Sequence, residues 1–286
     1  MQRQVSYPRA AREVQRAGKQ AAPWIERWSR FGHVAHGIVY GLVGVLAAQA
    51  ALGTGGTTTD KEGALEHVIA APFGQLLLAL VAIGLVGYAT WRFVQAACDT
   101  GDKGTGAVGV VSRVGYAVSG VVHLALALFA VRLLLGTESE GVGTDQSVHD
   151  RTAWLLSQPF GQWLVGIVGL IVIGVGLFQL YQAYTANFRK ELKTSEMSAD
   201  ERLWAERAGR AGFAARGIVF GMIGSFLIGA AIHAEPGEAR GLAGALAELA
   251  AQPSGPWLLG AVAVGLVAYG VYSLVEARYG RMMVRR

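Results

Sequence analysis

Arginine, glutamate and histidine set within or beside long apolar runs are the residues of this chain that could do chemistry. An ionisable side chain in hydrocarbon is costly unless it meets a partner, a ligand or water, so each one is a functional candidate. Arg30, Arg113 and Arg210 stand at the mouths of three apolar runs. Six residues further in lie His36, Ser119 and Arg216, one polar group at each equivalent place. Three alternate runs end near Gln95, Gln182 and Glu276. The arginines suit the free carbonyls at helix C-termini; the alternative is a ring that recognises an anion or a lipid phosphate. The other six residues could line an asymmetric polar pocket, with Arg216 and Glu276 its one plausible ion pair. Boundary packing is the competing explanation, because snorkelling makes polarity cheap near the membrane edge.

His123 is the deepest ionisable group, and its equivalents Tyr40 and Phe220 suggest that the site asks for an aromatic shape. A packed histidine with one hydrogen bond satisfies that demand. Haem or metal ligation would need a second ligand at the same depth, and His33 and His36 fall shallower by the 1.5 Å rise per residue. No cofactor and no metal are therefore expected. His67, His149 and His233 occupy unmatched places in three polar connections and suggest no zinc site. GxxxxGK[ST], GxSxG and HExxH are all absent. No feature supports an enzyme.

The elements that position these groups follow from the spacing of charge. The chain has 286 residues, 52% of them hydrophobic and 16% charged. Asp, Glu, Lys and Arg are missing from 31–52, 68–91, 114–131, 152–188, 217–234 and 249–275. Each run matches, or nearly matches, the roughly 20 residues that cross a bilayer core. The class is an all-α polytopic membrane protein with six transmembrane helices. The single Cys98 excludes an internal disulfide. The basic, polar start has no short apolar core, so the first span is expected to act as the insertion signal. The N-terminal tail, two alternate connections and the C-terminal tail hold 21 of the 25 Lys and Arg, against 4 on the other side. Basic residues resist translocation, which puts both termini in the cytoplasm of a cell with this protein in its inner or plasma membrane. A net charge of +5 then needs anionic lipid and no nucleic acid.

Internal repeats organise the spans. "RFGHVAHGIVYGLVG" from Arg30 and "RAGFAARGIVFGMIG" from Arg210 share their arginine and four glycines; "RVGYAVSGVVHLALA" from Arg113 is a fainter copy. The even runs align on "PFG" at Pro72 and Pro159 and "PSG" at Pro253, with proline expected in the first helical turn. Helices in lipid associate through close contact at small residues. Gly37, Gly41 and Gly44 form one seam, as do Gly217, Gly221 and Gly224. Gly84, Tyr88, Trp91 and Gln95 form a packing stripe. The short segments before each proline, "GALEHVIAA", "RTAWLLSQ" and "GLAGALAELAA", are expected to lie at the outer interface.

These motifs resemble the bacterial domain-of-unknown-function 1206 family, described as three tandem pairs of transmembrane helices. The resemblance covers nearly all of the chain after the basic tail. It implies a fold and no activity, and the second repeat departs from the pattern at Leu124 and Ala127. The expected organisation is a basic tail 1–29, repeat 30–98, loop 99–112, repeat 113–188, linker helix 189–209, repeat 210–278 and tail 279–286. The repeats are expected around a pseudo-threefold axis along the membrane normal. The expected function is a non-enzymatic accessory or scaffold subunit bound to lipid, to other membrane proteins or to itself; the alternative is a small-solute or ion pathway with a polar site in the cytoplasmic third. Polar groups at several depths in the centre would favour the pathway, and a filled, dry centre the scaffold.

Overall fold

Among the described residues, six helices are long and apolar enough to cross a membrane: α1 (Arg9–Leu52), α3 (Gly74–Ala97), α4 (Ala107–Leu134), α6 (Gly161–Thr185), α7 (Ala199–His233) and α9 (Gly255–Tyr279). The computed structural model describes residues 9–98, 106–137 and 145–281. Three short helices, α2 (Lys61–Ala70), α5 (Asp145–Leu156) and α8 (Leu242–Ala251), precede the even spans. The end of the bundle where α3, α6 and α9 finish is called the basic face, and the end with the short helices the acidic face. Most of the expected 99–112 loop and both chain ends lie outside the described residues. From Arg9 onward the N-terminal tail is a continuation of α1 rather than a separate segment. The linker behaves as its sequence asks: the Ser198 backbone donates to the Glu201 carboxylate at 2.8 Å and Glu201 N–H to the Ser198 hydroxyl at 3.2 Å, which starts α7.

The even helices begin one or two residues later than the proline rule suggests. Pro72 and Pro159 sit in tight turns closed by Gly74 N–H to Ala71 O at 2.8 Å and Gly161 N–H to Gln158 O at 2.9 Å. Phe73 and Phe160 take the left-handed conformation inside those turns, at φ 60° and 62°. The glycine that follows is demanded by space: a Cβ at Gly74 would lie 2.6 Å from the Ile69 carbonyl carbon. Proline here fixes a turn, not a first helical turn. The short helices also differ from expectation. Leu65 of α2 and Leu246 of α8 are fully buried, so these two helices plug the acidic end of the bundle instead of lying flat on it.

Packing follows the order α4, α3, α1, α9, α7, α6. The glycine seams join each odd helix to the even helix of a neighbouring repeat. A Cβ at Gly37 would lie 2.8 Å from Gly270 O, and one at Gly44 2.7 Å from Val267 N. Gly217 and Gly224 make the same approach to Gly176 and Gly169 on α6, at 2.9 and 2.7 Å from their carbonyl oxygens. Gly41 and Gly221 correct the expectation, since a Cβ on either would meet nothing within 4 Å. They take part as bare backbone against which Gly270 and Gly176 rest.

A second kind of contact lies within each repeat, and one of its three copies is missing. Gly32, Ala35 and Val39 of α1 are buried against α3, and Gly212, Ala215 and Val219 of α7 against α9. Their equivalents Gly115, Val118 and Val122 on α4 are exposed, and α4 makes no extended contact with α6. The sequence explains this. Where Ala35 meets Gly84 and Ala215 meets Gly265, the second repeat has Val118 and Ile171. Two branched side chains hold apart helices that elsewhere touch through small residues. The pseudo-threefold ring is therefore open along one side.

Candidate functional site

At the basic edge the odd-helix arginines clamp helix ends. Arg30 donates to Ala277 O at 2.6 Å and to Arg278 O, and Arg210 to Ala183 O at 3.2 Å and Tyr184 O at 2.8 Å. Each is also paired with a carboxylate one turn earlier, Glu26 at 2.7 Å and Glu206 at 3.0 Å. Arg113 has partners as well. Arg30 and Arg210 thus satisfy free carbonyls of α9 and α6, each belonging to the neighbouring repeat, which is helix capping rather than an anion ring.

Six residues deeper along the odd helices, a polar layer crosses the bundle. His36 and Arg216 come from the odd helices, and Arg92, Gln179 and Ser273 from one shared position of the even helices. His36 Nδ1 lies 3.2 Å from the Ser273 hydroxyl. With the Gln179 amide oxygen facing Arg216, it accepts from Nη1 at 3.2 Å and Nη2 at 3.1 Å. Arg92 donates to Gln95 Oε1 at 2.9 Å and to the Tyr88 hydroxyl, and lies 5.5 Å from the Tyr116 ring centre. Ser119 gives its carbonyl to His123, whose Nδ1 is 2.7 Å away. Gln182 ends the stripe Ile171, Val175 and Phe178 on α6, against which no helix packs.

An aromatic cluster sits on this layer. The His36 ring is stacked on Tyr88 at 4.2 Å and lies 5.1 Å from His123. The expected difference in depth between these histidines, about 6 Å along a helix, is bridged by the reach of their rings. His33 Nδ1 bonds Ser29 O at 2.8 Å, and its ring meets Tyr88 edge-on at 4.9 Å. Arg216 lies over Tyr269 at 4.3 Å and near Tyr40 at 5.3 Å. From the acidic side, Lys61 at the start of α2 reaches to 4.9 Å from the Tyr40 ring. Asp60 caps that helix by accepting from Gly63 N–H at 2.8 Å, and burial pushes its carboxyl above the usual range.

The electrostatics are unbalanced. Among the described residues no carboxylate lies within ion-pair distance of Arg92 or Arg216. The expected Arg216–Glu276 bridge is not formed; Gln179 and the Tyr269 face take the guanidinium instead. Glu276 stands near both arginines without bonding either, and Glu191 of the linker lies beyond it at the basic edge. Both guanidiniums are surrounded by protein and only half-buried, each keeping part of its surface uncovered. Among the described residues of this layer, Arg92 Nε, Arg216 Nε and His123 Nε2 are buried without a hydrogen-bond partner, while the Tyr272 hydroxyl lies toward Glu276. A carbonyl only accepts, so His123 Nδ1 carries the proton and Nε2 is left as a free acceptor. Among the described residues no group of three His, Cys, Asp or Glu is placed to hold a metal ion.

Of the pocket expected from sequence, His36, Arg216 and Gln95 join this layer, Glu276 borders it, and Gln182 faces the opening. Sequence reasoning missed Arg92, Gln179, Ser273, Lys61 and Tyr269, and read Tyr40 and Tyr88 only as packing groups. Three polar residues at one aligned position, 20 residues after each proline, were the available signal.

Six apolar spans in tandem hairpin repeats, ringed around a polar layer, define a polytopic α-helical membrane protein. The chain belongs to the family described as Domain of Unknown Function (DUF1206), whose signature matches residues 31–99, 114–186 and 211–280. It is 39% identical over 271 residues to "Uncharacterized protein YxxB" of Bacillus subtilis (strain 168), covering 95% of this chain and 97% of that protein. No solved structure matches the chain.

Proposed function

We propose that this is a non-enzymatic protein of the plasma membrane, with both termini in the cytoplasm, that holds a small anionic solute at the centre of its helix bundle. The observation that carries this reading is the pair of interior guanidiniums, Arg92 and Arg216, with no carboxylate bonded to either. An uncompensated charge inside a membrane protein costs several kcal/mol, and a bound anion would offset that cost. Polar groups also occur at several depths, from Glu276 through Arg92, Arg216 and His36 to His123 and Lys61. That favours a ligand site, and a pathway built on it, over a scaffold with a dry centre.

Heating the purified protein in detergent at constant ionic strength tests this, with phosphate, sulfate, acetate or chloride as the varied anion. An anion at ten times its Kd should add roughly 1.4 kcal/mol of stability. Arg92→Gln and Arg216→Gln should each remove that protection. If all four anions protect wild type no better than the two variants, the anion site is wrong.

A further inference from the structure

The opening between α4 and α6 says what kind of anion this is. In the other two repeats the matching faces are closed by helix contact. Here α4 and α6 make no extended contact, and the apolar positions matching those faces, Val118 and Val122 of α4 and Ile171, Val175 and Phe178 of α6, are left exposed along the groove this leaves. The groove is bordered at one end by the two unpaired cations. Arg92 lies against Tyr116 of α4, and Arg216 is bonded to Gln179 of α6, so each guanidinium is tied to one of the two helices that flank the opening. Both sit roughly 8–9 Å inside the basic edge by helical rise, the depth at which a lipid head gives way to its chains. The acidic end is plugged by the buried Leu65 and Leu246.

We infer that the solute is an anionic amphiphile whose head is held by Arg92 and Arg216 while its apolar tail lies in the α4–α6 groove, entering sideways from the bilayer. This rests on the anion site proposed above and adds the tail and the route. The head chemistry is a phosphate ester or a carboxylate. His123 Nε2, a buried acceptor with no partner, further suits a head that carries a hydroxyl. A purely apolar occupant would leave both guanidiniums uncompensated. A free inorganic anion would leave the groove without a role.

The test compares three probes on the full-length protein in one detergent: glycerol 3-phosphate, oleoyl-lysophosphatidate, and oleoyl-lysophosphatidylcholine as a zwitterionic control. Lysophosphatidate should protect against heating at concentrations at least about tenfold below glycerol 3-phosphate, since two buried methylenes already suffice for that factor. The control should not protect. Gly115→Trp and Gly174→Trp would fill the groove from positions where a Cβ meets nothing within 4 Å. Each should remove the tenfold advantage and keep the response to glycerol 3-phosphate, which also reports that the variant is folded. Arg216→Gln should abolish both responses. Equal potency of tailed and untailed phosphate, or an advantage that survives both Trp variants, overturns the inference while the anion site stands. Protection by neither phosphate removes the anion site itself. Specific crosslinking of Val118→Cys between two copies of the chain would give the groove to a second copy and overturn the lipid assignment.

Discussion

Replacing Gly32, Gly115 and Gly212 one at a time by alanine asks the three repeats the same question. A Cβ at Gly32 would lie 2.7 Å from Tyr88 Cα, and one at Gly212 2.6 Å from Tyr269 Cα; at Gly115 it would meet nothing within 4 Å. Carbon atoms rest about 3.5–4.0 Å apart, so the first two changes must push helix axes apart by roughly 1 Å. The obstacle is backbone, which cannot swing aside as a side chain can. Overpacking of this kind costs about 1–3 kcal/mol, and exchanging glycine for alanine inside a helix returns about 1 kcal/mol. Gly32→Ala and Gly212→Ala should therefore lower stability by up to about 2 kcal/mol. Gly115→Ala should be neutral or raise it by about 1 kcal/mol. The assay is the fraction of folded protein surviving a temperature series in one detergent, read by size-exclusion chromatography. A loss for Gly115→Ala equal to that for Gly32→Ala would mean that α4 packs on α6, and the opening would be withdrawn.

Two further outcomes are expected. In a Cys98→Ser background, cysteine at Thr57 should be labelled from outside intact cells and cysteine at Ser195 only after permeabilisation; the reverse result overturns the orientation drawn from the 21 to 4 split of basic residues. Arg216→Met and Glu276→Gln should couple only weakly in thermostability, because the two groups interact through charge and share no bond. A double variant markedly more stable than the sum of the singles predicts would show that they pair.

The spans, repeats and helix clamps were legible because each is set by a local or periodic requirement. A run without charge gives a span, and Arg30 and Arg210 mark the places where carbonyls need donors. The seam glycines were legible as a class but not one by one. Gly37 and Gly41 are alike in sequence, and only the angle at which α9 crosses α1 decides that Gly37 needs its missing Cβ and Gly41 does not. Gln95 and Glu276 were found by alignment, yet Arg92 and Ser273, three residues earlier, make the closer contacts with the centre. The side of a helix that faces inward depends on packing between repeats, and the seams turned out to join neighbouring repeats rather than the two helices of one. Lys61 was illegible for another reason. It belongs to a connection, and nothing in "DKEGALEH" says that α2 turns into the bundle until Leu65 is seen fully buried.

Triplication explains the ring, and departures from it explain the site. Three identical hairpins would close every interface and present the same group three times at each depth. In this chain the equivalent inward positions read His36, Ser119 and Arg216 on the odd helices and Arg92, Gln179 and Ser273 on the even ones. Two of the odd-helix groups face an even-helix group of the neighbouring repeat. His36 with Ser273 and Arg216 with Gln179 form neutral-to-neutral and charged-to-neutral pairs, so no pair cancels a charge. The same second repeat that lacks a charged group at Ser119 also carries Val118 and Ile171, the residues that keep its own two helices apart. Loss of closure in the packing falls on that repeat, with Arg92 of α3 held against Tyr116 of α4 on one side of the opening and Arg216 of α7 against Gln179 of α6 on the other. Closing that seam with alanine and glycine would restore the ring and shut the cations in; leaving it open gives them a neighbour that only the bilayer can supply.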